Sequence, residues 1–220
     1  MFGENHLSTS DSYHSLWATQ FKQGDLSSAL QSIQHALDIR LKVLGEQHSV
    51  TADSYHLLSV NQLSKGNLSS ALEALQRALE IRLELFGEHH SITAATYHLL
   101  GETQHHLGDF TSALQSKQHA LDISLKLFGE QHSSTADSYH SLGVTQHKQG
   151  DFTSALQSKQ RALDIRLKLH GEEHFSTAAS YHCLGITQHE QGDLTLALQS
   201  KQCALHIKLQ PFWRTTLEHS

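Results

Sequence analysis

The chain has 220 residues, a formal charge of −6 with histidine neutral, 38% apolar residues, one proline and 20 histidines. That apolar share is low for a globular domain with a central core, and the absence of any Lys/Arg run argues against a nucleic-acid surface. No stretch of about 18 apolar residues would insert in a membrane, and two cysteines without ligand-pair spacing, Cys183 and Cys203, suit a reducing, cytoplasmic compartment.

From the N-terminus onward the chain repeats itself. Gly3, Gly45, Gly87, Gly129 and Gly171 recur every 42 residues, and the block from Gly87 matches the block from Gly129 at 31 of 42 positions. Met1-Phe2-Gly3-Glu4 is already in phase with Phe86-Gly87-Glu88, so it reads as repeat and not as a signal peptide. A block that recurs in this way is one supersecondary unit, which buries its apolar face only against a neighbour.

Each block reads as two helices. In the fourth, Ala136, Tyr139, Leu142, Gly143 and Gln146 fall at three- and four-residue steps, which form one helical face from Thr135 to about Gln149. His132, Ser133, Ser134 and Thr135 precede it as candidates to cap its first turn. Gly150-Asp151 then breaks the pattern: the glycine permits positive φ and Asp151 can cap the next helix. Gly24-Asp25, Gly66-Asn67, Gly108-Asp109 and Gly192-Asp193 are the equivalents. The second half, Phe152 to Leu169, carries Phe152, Ala155, Leu156, Ala162, Leu163, Ile165, Leu167 and Leu169, and Gly171 ends it. Asp38/Lys42, Asp122/Lys126 and Asp164/Lys168 are placed for i,i+4 ion pairs on its solvated side. After Leu209 the pattern fails, and Gln210-Pro211-Phe212-Trp213 stands where another Leu-Phe-Gly-Glu is expected. The expected organisation is therefore five repeats, 3–44, 45–86, 87–128, 129–170 and 171–209, with a non-repeat tail at 210–220, and further repeats or domains of a longer parent chain are expected as neighbours.

The spacing of Leu142-Gly143, Gly150, Phe152, Ala155 and Ala162 resembles the tetratricopeptide repeat, and every block keeps its two alanines. Alanine suits a place where two helices cross closely. The phrase Ala-Leu-Asp-Ile-Arg-Leu-Lys-Leu followed by Gly-Glu-x-His, with the 42-residue length, is similar to the long-repeat subclass of kinesin light chains and nephrocystin-3-like proteins. The resemblance implies an all-α, right-handed superhelical solenoid of five helix-turn-helix repeats, ten helices in all, with the first helix of each repeat lining a concave groove. It departs from light chains in lacking a heptad segment and in carrying histidine where their groove resembles an asparagine ladder. Lys117, Lys159 and Lys201 stand where the family has an aromatic, and a lysine at such a seam must snorkel outward or find a partner.

On that implication, with each block's tyrosine as position 4, groove positions are 2, 5, 6, 9, 12 and 13. The candidate peptide-binding residues are Asp53 and Asp137; the row His14, His56, His98, His140 and His182; Leu57, Leu99 and Ser141; Val60, Glu102 and Val144; His105, His147 and His189; and His106 and Lys148. Between the third and fourth blocks, four of the 11 differences fall at these positions, whereas the second helix differs at three. A packing seam resists such variation, whereas a contact surface exploits it; greater exposure alone is the plainer reading. Neutral imidazole both donates and accepts, so the histidine row can hold an extended peptide backbone; a duplicated, solvated histidine is the plainer reading. Protonation of such a row would strengthen binding of an acidic partner between about pH 7 and 6. The histidines three residues after each block glycine read as loop and cap residues.

A helical metal chelate needs two histidines one turn apart, and the only such pair, His170/His174, straddles Gly171. No cofactor is expected. No phosphate-cradling loop or nucleophile elbow is present, and the neighbours His182 and Cys183 point about 100° apart on a helix, so no enzyme is expected. The reading is a protein-interaction scaffold for a protein or peptide ligand. Its rivals are the sensor array of a larger NTPase-containing signalling protein and a His-rich metal-binding protein.

Overall fold

The computed structural model describes the backbone of residues 6–217 and the side chains of residues 6–209. Gly3, the start of the first repeat and the side chains of the expected tail lie outside the described residues. Among those described, ten helices and no strand are found. They are α1 (Leu7–Lys22), α2 (Leu26–Leu44), α3 (Ser49–Ser64), α4 (Leu68–Phe86), α5 (Ser91–His106), α6 (Phe110–Phe128), α7 (Ser133–Gln149), α8 (Phe152–His170), α9 (Phe175–Gln191) and α10 (Leu194–Leu217). The pairs α1–α2, α3–α4, α7–α8 and α9–α10 are helical hairpins. The last helix continues through Pro211 to Leu217, past the point where the repeat pattern fails. The chain divides within α6 into two compact units, 1–116 and 117–220.

The hairpins are built by the expected punctuation, capping histidines included. The residue that caps each odd-numbered helix is the histidine before it: Nδ1 of His6, His48, His90, His132 and His174 accepts the amide two residues on, at 3.1–3.2 Å. At the hairpin turn, Gly150 takes φ +89° and Asp151 Oδ1 accepts the amide of Ser154 at 3.0 Å. Asn67 is the exception, with its amide donating to Gln62 instead of capping α4.

In unit 1, α1–α2 and α3–α4 are hairpins, and α3 and α5 pack on α2 and α4 respectively. Ala29, Ala36, Ala71 and Ala78 are fully buried where these helices cross, as the repeat pattern predicts. Trp17 and Ile33 anchor a core joined by Leu57 and Leu58 of α3. In unit 2, α7–α8 and α9–α10 are hairpins and α9 packs on α8. There a Cβ on Gly143 would lie 2.9 Å from Lys159 Cγ and 3.1 Å from the Ala155 carbonyl oxygen, so the lysine stem occupies space that only glycine leaves. The expected aspartate–lysine pairs on the second helices are not formed. Asp38, Asp122 and Asp164 instead accept from Gln34, Gln118 and Gln160 at 2.8–3.1 Å, because an amide one turn back reaches them directly.

Candidate functional site

The seam lysines have partners that the sequence did not reveal. Lys117 Nζ donates to Thr145 Oγ1 at 2.8 Å and to the Ser141 carbonyl at 3.3 Å, and Lys159 Nζ donates to Thr187 Oγ1 at 2.6 Å and to the Cys183 carbonyl at 3.4 Å. Both lysines are buried, so neither snorkels. Burial pushes the Lys159 amine below the ordinary lysine range, while Cys183 and Glu190 oppose that shift.

Arginine supplies the second seam device. Arg40, Arg82 and Arg166, each buried, donate to Asp11, Asp53 and Asp137 at 2.7–3.0 Å and to Ser54, Thr96 and Ser180 at 2.6–2.7 Å. Each guanidinium thus ties the aspartate of its own hairpin to a hydroxyl of the next. The third block, which has Ala95 instead of the aspartate, also has Ser124 instead of the arginine. That paired change within the repeats was the sequence signal for this clamp, and reading the positions one at a time missed it. Asp53 and Asp137, expected as peptide-binding residues, are each held by an arginine.

The histidine row divides as well. His14, His56, His98 and His140 are half-buried, and His182 is exposed. His14 leaves Nδ1 buried without a hydrogen-bond partner and lies 6.0 Å, centroid to centroid, from Trp17. His56 lies beside the clamp, Nδ1 3.5 Å from Arg82 Nη1. Burial, reinforced by Arg82 and opposed by Asp53, lowers its pKa to about 4. A pH response between about 7 and 6 therefore receives nothing from His56, which corrects the expectation that the whole row charges together. His147 is committed too: Nδ1 lies 3.1 Å from Thr187 Oγ1 and Nε2 3.2 Å from Glu190 Oε2. Burial and Lys159 depress its pKa against the pull of Glu190. Ser141 lies at the seam: its side chain is buried and its carbonyl accepts from Lys117.

In unit 1, other candidates converge. Leu99, Glu102 and His106 of α5 line a cleft of about 520 Å³ with Leu63 of α3, Leu68 of α4 and Thr103. Leucines and an acid lining one cleft suit an apolar side chain with a cationic neighbour. Leu57 and Val60 are half-buried on α3, and His105 is half-buried on α5, its ring 5.4 Å from Phe110. In unit 2, Val144 is half-buried, while Lys148 and His189 are exposed. A larger cleft of unit 1, about 620 Å³, lies elsewhere, between Tyr55, Gln62, Glu73, Arg77 and Glu80.

Among the described residues, no three His, Cys, Asp or Glu side chains converge as metal ligands. The His170/His174 pair stacks face to face at 4.4 Å, with His174 Nδ1 already accepting a backbone amide. Among the same residues no helix is long and apolar enough to cross a membrane.

The tetratricopeptide repeat family profile matches residues 8–84, 63–126, 92–168 and 148–210. No curated protein sequence matches the chain. Among solved structures, BtubC (BKLC) from P. vanneervenii is similar at 26% identity over 91% of this chain and 80% of that one, with a TM-score of 0.82. A kinesin light chain-like protein of nearly identical TPR-like repeats from Podospora anserina is 22% identical over 94% and 98% of the two chains, with a TM-score of 0.84. The apo form of RapI is 19% identical over 89% of this chain and 52% of that one, at a TM-score of 0.75. The last two likenesses are of fold alone.

Proposed function

The chain belongs to the tetratricopeptide-repeat family, and from that premise we propose that it is a non-catalytic interaction scaffold whose first helices hold an extended segment of a partner protein. The observation that carries this reading is the unit 1 cleft, where Leu99, Glu102 and His106, three positions that vary between otherwise near-identical blocks, meet Leu63. An apolar side chain fills the space between the leucines, and a lysine or arginine beside it reaches Glu102. Both cysteines, Cys183 and Cys203, are free thiols, which suits work in the reducing cytoplasm.

Selection of a random peptide display library on the full chain tests the proposal. Enrichment of sequences pairing an apolar with a basic residue, lost in Leu99→Asp and Glu102→Lys, supports it. No enrichment, or enrichment that both substitutions leave intact, overturns it. His56→Ala is a poor probe of this surface, because His56 sits against the Arg82 clamp.

A further inference from the structure

The joins between successive hairpins follow one register. At a spacing of 28 residues a lysine meets a threonine, as Lys117 meets Thr145 and Lys159 meets Thr187. At a spacing of 14 residues an arginine meets a hydroxyl, as in Arg40–Ser54, Arg82–Thr96 and Arg166–Ser180. Leucines close each join: Leu37 and Leu163 on the second helices are 2% exposed, and Leu100, Leu142 and Leu184 on the first helices are 5–6% exposed.

Among the described residues, both halves of such a join also occur without a mate. On α10, Leu205 holds the position of Leu37 and Leu163 but is 57% exposed, with Leu198 at 59% beside it. Lys201 holds the lysine position, one repeat on from Lys159, and Lys208 holds the arginine position. On α1, Leu16 holds the position of Leu100 and Leu184 but is 45% exposed. Ser12, at the hydroxyl position, is also exposed, although its counterparts Ser54, Thr96 and Ser180 are buried. Thr19 is exposed as well, and its Oγ1 donates to the Ser15 carbonyl at 3.1 Å. That hydroxyl and carbonyl are the same acceptor pair that Thr145 with Ser141, and Thr187 with Cys183, offer to the buried lysines.

We propose that α10 of one copy docks on α1 of a second copy, head to tail, in the register of the internal joins. Lys201 Nζ donates to Thr19 Oγ1 and the Ser15 carbonyl of the second copy, and Lys208 reaches its Ser12. Leu198 and Leu205 cover its Leu16. A second copy is the occupant this surface fits, because the internal joins already show these two faces mating and α1 carries the acceptors at the required spacing. The contact is heterologous, so every copy that docks leaves one face of each kind open and growth is not limited to a dimer.

The test uses sedimentation velocity and light scattering on the full chain across a concentration series, with Leu16→Glu and Leu205→Glu as variants. Both leucines are exposed, so the variants keep their helicity by circular dichroism, and each alone stays at one chain, 24.5 kDa. Wild type rises with concentration past twice that mass. An equimolar mixture of the two variants gives a dimer and nothing larger, because each contributes one intact face. A wild-type mass that stays at one chain overturns the proposal. So does association that survives either substitution, or a wild type that stops at a dimer.

Discussion

Lys159 donates to Thr187 across the α8–α9 join at 2.6 Å with both side chains buried. The amine has two oxygen acceptors, but among the described residues no carboxylate lies within ion-pair distance of it. A buried, unpaired charge costs more than its hydrogen bonds return in many settings. Lys159→Met keeps the stem over Gly143 and removes the charge, and we expect it to raise stability by about 1 kcal/mol at neutral pH. Because burial lowers the folded-state pKa of this amine, the penalty is full below that value and shrinks as pH rises towards 10.5. The advantage of Lys159→Met in urea titrations should accordingly narrow at alkaline pH. A loss of stability on substitution, with no narrowing, would show that the hydrogen bonds dominate.

Gly143 faces the same stem. A methyl group there would stand 2.9 Å from Lys159 Cγ and 3.1 Å from the Ala155 carbonyl oxygen. The side chain can shift but the carbonyl cannot, so the overlap costs roughly 1–3 kcal/mol, offset by about 1 kcal/mol of helix propensity. Gly143→Ala should lose about 1 kcal/mol net, and Lys159→Ala in the same chain should recover part of it. A double-mutant cycle by chemical denaturation measures the coupling, and additive losses would separate the two residues.

His56 ties stability to pH. Burial and Arg82 hold its folded pKa at about 4, below the ordinary value of 6.5, so between these values the unfolded chain binds the proton more readily. Stability is complete above about 6.5 and falls as the pH drops towards 4. His56→Asn, which takes up no proton in that window, should flatten this part of the melting temperature against pH curve. A curve with unchanged slope would assign the acid sensitivity to other groups.

Helical hairpins, turns and alanine crossings were legible because each is local: Gly150 and Asp151 act on their own neighbours, and Ala155 and Ala162 recur at fixed distances. The contact surface was less legible, because position along a helix does not reveal which side chains are already engaged. Asp53 and Asp137 sit at outward positions, yet arginines 29 residues away hold them. Ser141 shares its position with Leu99, but lies beside the amine of Lys117. Comparing whole blocks recovers part of this, since the third block lost Asp and Arg together.

The capping histidines offer a test of local against stacking energy. A neutral imidazole accepts the helix amide through Nδ1, but an imidazolium has no acceptor and sets positive charge against the helix N-terminus. Aspartate caps with a full negative charge, so His48→Asp should stabilise by roughly 0.5–1 kcal/mol near neutrality. His132 differs in one respect: its ring stacks on Phe128 at 4.5 Å, whereas Leu44 occupies that place before His48. His132→Asp forfeits a ring pair of roughly 0.5–1 kcal/mol along with the imidazole. It should therefore show little gain near neutrality, against a clear gain for His48→Asp. Thermal melts of the two variants near neutral pH decide this, and equal gains would mean that the stack contributes nothing.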